Sequence, residues 1–412
     1  MLFSMIAAKM EFAAPGNQIS LAYTMPPKRF VSVKDMGAIG NGIDDDTKAI
    51  TNAIGEAKSK GISTVFFPSG NYLIKQIGEK PGIIKLLTGI NLVGTGPQTC
   101  HIILSGRRIN PNSIFYQAWW EEPSIDNIVI EGIDFNGNLR KQKFDPGYQF
   151  CHALSINNGE NIEVKNCRFQ NFRGDGLLFG DTFEPTLNAR IVSNVSVHNC
   201  FFFNIYREGV MFCCVNGASF YNNKVYGSGY LVGGVDIERH SANESVLNVS
   251  VHDNIFNFRY GYGPVERGKI IKYRRAITIG YFYSGYKNGS ADSLSGHHSI
   301  YNNKIYQGQI DCFGHVNVKI TGNTIINAFE NIKGVLYVTT PAINVSEARV
   351  TTGLENVIVS NNYIKSSIPG NGIVFYKYQN IYSINNVLKG KDLGGVALIE
   401  SKGEVRSNSE LF

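Results

Sequence analysis

Asn127-Ile-Val-Ile-Glu-Gly-Ile-Asp-Phe135, Asn161-Ile-Glu-Val-Lys-Asn-Cys-Arg-Phe169 and Asn194-Val-Ser-Val-His-Asn-Cys-Phe-Phe202 are one phrase written three times. Each has an alternating apolar run, a polar turn built around asparagine, and a second short apolar run. The phrase returns at Gly217–Val225, Asn248–Phe256, His298–Ile305, Asn317–Ile325, Asn356–Ile364 and Asn380–Val387. Its starts lie 34, 33, 23, 31, 50, 19, 39 and 24 residues apart. Alternation with a period of two marks strands, not helices. A fixed internal pattern at variable spacing describes coils of one shape carrying loops of different length. That is a β-solenoid, in which each coil buries its inner face only by stacking on its neighbours.

The composition fits stacked strands. The chain has 412 residues, 43% hydrophobic and only 17% charged, with 44 Gly, 21 Tyr and 25 Phe. A solenoid of this length can be one continuous domain with a large core. The net charge of +6 comes without a block of like charge, which excludes nucleic acid as the expected partner and leaves an acidic polymer as a mild preference. No run reaches membrane-spanning length, so no membrane insertion is expected. The opening Met1-Leu-Phe-Ser-Met-Ile-Ala-Ala-Lys-Met-Glu lacks the basic and long apolar regions of a secretory signal. Seven cysteines without a Cys-x-x-Cys spacing read as thiols, with Cys167 and Cys200 at one position of successive coils. A metal site is not expected.

Phe30-Val-Ser-Val-Lys-Asp-Met-Gly-Ala-Ile-Gly-Asn-Gly-Ile-Asp-Asp-Asp-Thr-Lys-Ala-Ile50 reads as a strand, a glycine-rich loop and a helix start. Asp45 or Asp46 is the expected N-cap, Ala49, Ile50, Ala53, Ile54 and Ala57 form one apolar face, and Gly61 ends the helix. Asp44-Asp45-Asp46 is read as helix capping in preference to a calcium site. Such a helix would cover the open end of the solenoid, where unpaired strand edges invite aggregation. The segment 30–74 closely resembles the N-terminal signature of the pectate-lyase-like, right-handed parallel β-helix superfamily, and with the coils the resemblance covers roughly residues 30–410. The group includes polysaccharide lyases, hydrolases related to polygalacturonases, sugar epimerases and bacteriophage tailspikes. The resemblance implies an all-β, right-handed single-stranded parallel β-helix. The expected divisions are an N-terminal extension over 1–29, a first strand, capping helix and first coil over 30–75, and coils with inserted loops over 76–412.

The first strands of the coils align on a small residue and an apolar pair. The frames are Ala153–Asn157, Gly176–Gly180, Gly209–Cys213, Gly234–Glu238, Ala276–Gly280, Gly334–Val338, Gly372–Tyr376 and Gly395–Ile399. Second and fourth places are apolar and point inward; third and fifth places face outward. Most outward places are neutral, as at Ser155, Leu178, Met211, Thr278 and Leu336. One coil differs, with Asp236 and Glu238 followed by Arg239 and His240. Just before the small residue, the two preceding coils carry Asp175 and Glu208, 33 residues apart. His152 holds this place one coil earlier and Arg275 one coil later. With coils about 4.8 Å apart, the four carboxylates should converge within about 10–15 Å.

Two carboxyl groups near a glycosidic oxygen are the minimum for hydrolysis, and like charges this close raise one pKa and keep a proton available. Asp175, Glu208, Asp236 and Glu238 are therefore the catalytic candidates, Glu208 with Asp236 or Glu238 as the working pair. His152, Arg207, Arg239, His240, Arg275 and Asp181 are substrate-binding candidates, with Trp119, Trp120 and Tyr148 as a stacking platform. The interruption 258–297 adds interleaved tyrosines and basic residues. The leading expectation is an endo-acting glycoside hydrolase cutting a bacterial surface, capsular or exopolysaccharide, in the extracellular or virion setting of a phage tailspike or depolymerase. The polygalacturonase motifs Asn-Thr-Asp, Gly-His-Gly and Arg-Ile-Lys are absent. The alternative is a polysaccharide lyase or uronate epimerase, served by His152, Tyr206, Arg207, Arg239 and His240, although the family's Asp-Pro-His-Glu motif is missing. A third reading is a non-catalytic carbohydrate adhesin. No cofactor is expected, with calcium reserved for the lyase, and the resemblance to tailspikes admits a homotrimer.

Overall fold

The structure, a computed structural model, describes residues 29–75, 82–106, 113–117, 124–142, 148–180, 191–227, 233–240, 244–258, 275–281, 295–314, 317–327, 341–346, 355–367, 370–391, 393–399, 401–406 and 409–411. Among these residues the strands form three parallel sheets of 14, 13 and 11 strands. Each strand pairs with its counterpart one coil before and one coil after, so the chain is a right-handed parallel β-helix. Helix α1 (Thr47–Ser59) is the single α-helix among the described residues. It buries Ala49, Ile50, Ala53, Ile54 and Ala57 and packs on the first strands of the first and third sheets. Asp46 is the N-cap by position, but Asp45 Oδ1 accepts from the Thr47 amide at 3.1 Å. The Asp46 carboxylate instead accepts from the amides of Ile39 (2.6 Å), Gly40 and Leu73 (3.2 Å each), tying the glycine-rich loop to the helix start. Past the helix, Gly61 takes φ +61° and Ile62 N–H donates back to Ala57 at 2.8 Å.

The repeated phrase has a backbone cause. Asn127, Asn161, Asn194, Asn248, Asn317, Asn356 and Asn380 all sit at φ between 49° and 62°, with Gly217 at 77° in the same column. This left-handed conformation is one that asparagine and glycine tolerate. In one coil the residue at this kink is His297 (φ 60°), one place before the His298 that the alternation marks as the start.

The Asn-Asn pairs divide a second task. Asn222, Asn302, Asn361 and Asn385 adopt positive φ at the corner, and the following residue turns inward. Asn223, Asn254, Asn303, Asn323, Asn362 and Asn386 form a buried ladder, each backbone N–H donating to the next side-chain oxygen at 2.9–3.2 Å. Cys167 and Cys200 occupy the rungs before Asn223, and the Cys200 N–H donates to Asn223 Oδ1 at 2.9 Å. All seven cysteines are buried thiols. Asn303→Ala should therefore cost about 3 kcal/mol, because it strands the amide of Asn254 and the carbonyl of Val251 inside the coil. A denaturant midpoint checks this. A loss below about 1 kcal/mol would mean that the ladder is incidental to stability.

The third sheet carries the site. Its relevant strands are β1 (His152–Ile156), β2 (Leu177–Phe179), β3 (Glu208–Phe212), β4 (Gly233–Arg239), β5 (Arg275–Tyr281) and β6 (Gln309–Phe313). Register stacks Leu154, Leu177, Val210, Val235, Ile277 and Ile310 inward, and Ser155, Leu178, Met211, Asp236, Thr278 and Asp311 outward. The frames deduced from the sequence hold through β5. They then skip β6, and the strand between β6 and Gly370–Tyr376 is Ile343–Ser346. Gly334–Val338, the frame expected there, lies outside the described residues.

Candidate active site

Two residues before Leu177 and Val210, register brings Asp175 beside Glu208, and β4 carries Asp236 and Glu238 two residues apart on the outer face of the third sheet. The four acids do come together. An outward place does not mean exposure here: Asp175, Glu208 and Asp236 are fully buried and Glu238 is 6% exposed. Leu178, Met211 and Cys213 form a separate apolar cluster on this same face. Leu178 and Met211 precede Asp236 in the outward column.

Each pair is an acid–acid contact. Two ionised carboxylates offer each other no donor, so each pair needs a proton to make its hydrogen bond. In the first pair, burial works to raise the Asp175 carboxyl. The Arg207 guanidinium, the hydrogen bond from Glu208 and the His152 ring together outweigh burial and hold Asp175 well below the usual carboxylate range. Burial pushes Glu208 well above that range, and Asp175 and Asp236 add to the push against Arg207. Glu208 therefore carries the proton. Burial, followed by the Glu238 carboxyl, raises Asp236 likewise. Arg207 Nε lies 3.5 Å from Asp175 Oδ1 and 3.3 Å from Glu208 Oε2, and its Nη2 approaches the Met211 sulfur at 3.4 Å.

His152, fully buried, places Nδ1 2.9 Å from the Asp175 amide and 3.0 Å from Asp175 Oδ2. Its Nε2 is buried and makes no hydrogen bond among the described residues. His240 Nε2 lies 3.7 Å from Glu238 Oε1. Arg275 stands two coils beyond Glu208 in the same column, its Nε 2.9 Å from Asp311 Oδ2. Burial keeps Asp311 above its ordinary range even against Arg275.

Arg239 is a correction. It follows Val235 and Ile237 in the inward parity, is fully buried, and donates from Nη1 to Ser295 Oγ at 3.1 Å. It therefore belongs to the coil corner and not to a substrate surface. Tyr148 is half-buried against the core edge, 5.5 Å from the Phe150 ring, and its carbonyl accepts from Arg173 Nε at 2.8 Å. Arg173 in turn lies 3.6 Å over the Tyr206 ring, a cation–π contact that the sequence did not signal. Trp119, Trp120 and Asp181 lie outside the described residues, as do Glu184 and most of 258–297. Among the described residues no cluster of three or more His, Cys, Asp or Glu side chains is arranged to hold a metal ion, and no helix is long and apolar enough to cross a membrane.

The sequence profile of the rhamnogalacturonase A/epimerase, pectate lyase-like family matches residues 30–254. Mannuronan C5-epimerase AlgE5 of Azotobacter vinelandii is 26% identical over 263 residues, covering 63% of this chain and 24% of that protein. Plasmin and fibronectin-binding protein A of Streptococcus pneumoniae is 34% identical over 157 residues, covering 34% of this chain and 20% of that protein. The chain thus spans under a third of the length of these relatives. The solved A-module of Azotobacter vinelandii mannuronan C5-epimerase AlgE6 shares the fold at a TM-score of 0.63 and 19% identity, with 93% of this chain and all of the module superposed.

Proposed function

We propose, starting from the fact that this chain belongs to the rhamnogalacturonase A/epimerase, pectate lyase-like family, that it modifies a uronate-containing polysaccharide by proton transfer at C5, as an epimerase or lyase. The observation that carries this reading is the pairing of the acids. Glycosidases hold their two carboxyls roughly 5–9.5 Å apart, with the sugar or a water between them. Asp175 and Glu208 instead converge on one cation, with Arg207 Nε at 3.5 and 3.3 Å, and Asp236 and Glu238 neighbour each other on one face of β4. Each pair offers one proton donor and one acceptor.

C5 chemistry suits such a pair of pairs. The C5–H bond breaks, its proton goes to a carboxylate, and the electron pair moves into the substrate carboxyl, whose charge Arg207 balances. Return of a proton from the opposite face inverts C5. Expulsion of the 4-O substituent instead leaves a C4–C5 double bond. The relatives named as mannuronan C5-epimerases support this direction over the hydrolase that the acid count alone suggests. Hydrolysis retains one candidate pair, Glu208 with Asp236, whose backbones lie about 11 Å apart by strand geometry. An extracellular or virion location accompanies such a substrate, and a homotrimer is the assembly to look for by sedimentation.

A second reading, a binding protein without catalysis, draws on the complete burial of three of the acids and on the identity with the plasmin- and fibronectin-binding protein. Incubating a panel of uronate polymers in deuterated water separates the readings. Deuterium at C5 in an intact polymer marks an epimerase, and absorbance from new double bonds marks a lyase. Reducing ends without that absorbance would move the chemistry to hydrolysis, and binding with none of the three signals would leave an adhesin. Glu208→Gln and Asp236→Asn are expected to slow the reaction by about 10²–10⁴-fold each.

A further inference from the structure

We propose that His240, Glu238 and Asp236 form a proton relay between bulk water and the buried end of the site, with His240 as the solvent terminal. The three side chains follow one another at i, i+2 and i+4 along β4 and the residue beyond it, so strand alternation puts them on one face. Their burial is graded in the same order. Asp236 is fully buried, the Glu238 side chain is 7% exposed and the His240 side chain 24%. The contacts are sequential as well. His240 Nε2 is 3.7 Å from Glu238 Oε1, and Glu238 is two residues from Asp236 on the same face of β4, close enough for its carboxyl to raise Asp236.

Neither oxygen of Asp236 makes a hydrogen bond among the described residues, and its neighbours in the outward column are Met211 and Thr278. The charged and titratable groups around the row are Arg207, Glu208 and Cys213 from the preceding coil, Arg275 from the following one, and Glu244, whose Oε2 accepts from the His240 amide at 2.5 Å. Arg207 faces the inner end of the row and Glu244 the outer end, so a proton entering at His240 moves from one carboxylate environment toward another. The step balances: protonated His240 gives one proton to Glu238, which passes one from its other oxygen to Asp236, and no electrons leave the system. In the reverse sense the same chain removes a proton taken from substrate. The relay deepens the C5 proton-transfer reading and depends on it for a role in turnover, whereas its titration is a property of the protein alone.

The test therefore has two arms. Histidine-labelled full-length protein is titrated by NMR, and His240 is expected to titrate in two steps that collapse to one in Asp236→Asn. With polymer, His240→Asn is expected to lower steady-state turnover about tenfold to hundredfold, to expose a first-turnover burst, and to recover with added imidazole. A single-step His240 titration indifferent to Asp236→Asn overturns the relay, as does turnover that is lost without burst or rescue. If wild type changes no polymer, the proposed function fails, and the NMR arm alone still decides the relay.

Discussion

Gly233→Ala is expected to abolish accumulation of soluble, folded protein. Gly233 adopts φ +140°, a region open essentially to glycine. A Cβ built there lies 1.6 Å from the carbonyl oxygen of Arg275, on the next coil. The obstacle is backbone, held by the register of β4 on β5, and no side-chain rotation removes it. Separating the strands forfeits ladder hydrogen bonds worth about 1 kcal/mol each on top of about 1–3 kcal/mol of conformational strain. The total exceeds what most folds tolerate from one substitution. Gly217→Asn is the contrasting substitution. Gly217 has φ +77°, its built Cβ meets nothing nearer than 3.6 Å, and asparagine holds that column in other coils. It should change the denaturation midpoint by less than about 0.5 kcal/mol. Wild-type yield and stability in Gly233→Ala would show that the two coils do not approach as closely as they do here.

Arg207→Met is expected to destabilise the protein by about 3–5 kcal/mol at neutral pH, the loss associated with removing one partner of a buried ion pair. Methionine keeps the apolar stem against Met211 while deleting the charge that faces Asp175, Glu208 and Asp236. The effect should depend on pH, with a definite sign. Asp175 is held below its unfolded value of about 3.9, so its contribution is present above that pH and lost as the pH falls through the folded value. Glu208 and Asp236 are held above their unfolded values, so their contribution is present below about pH 4 and lost as the pH rises through the folded values. Without Arg207 all three acids move upward. The gap between wild type and variant should then be small near pH 4 and widen toward pH 8. Arg207→Lys should restore part of it. A gap of constant size across that range would mean that the acids do not share the Arg207 field.

The fold was legible because its constraint is local and repeated. A left-handed asparagine, an alternating run and an inward asparagine or cysteine recur whenever a coil turns, and each leaves a mark in the sequence. Register through β5 followed from the same alternation, which is why Asp175, Glu208, Asp236 and Glu238 were correctly set on adjacent coils. Alternation gives a face, however, and not an environment. It gave no warning that the acids are buried beside an apolar cluster of Leu178, Met211 and Cys213, since apolar residues on an outer face look like noise. Arg239 follows two acids in sequence, but its parity sends it inward, a step that the chain of neighbouring charges concealed. The skipped strand β6 has a plain cause too. Gln309-Ile-Asp-Cys-Phe313 lacks the small residue that anchored the other frames.

The asparagine ladder has an electrical consequence. Its side-chain amides all point the same way, each Nδ2 donating to the oxygen of the next rung from Asn254 to Asn386. Head-to-tail amides add their dipoles, and hydrogen bonds in such rows polarise one another. The solenoid interior thus holds a miniature battery with its negative pole toward Cys200 and its positive pole toward the last coil. Both poles are already terminated in kind. The Asn223 N–H donates to Asn254 Oδ1 at 2.9 Å at one end, and Ser383 Oγ accepts from Asn386 Nδ2 at 3.1 Å at the other.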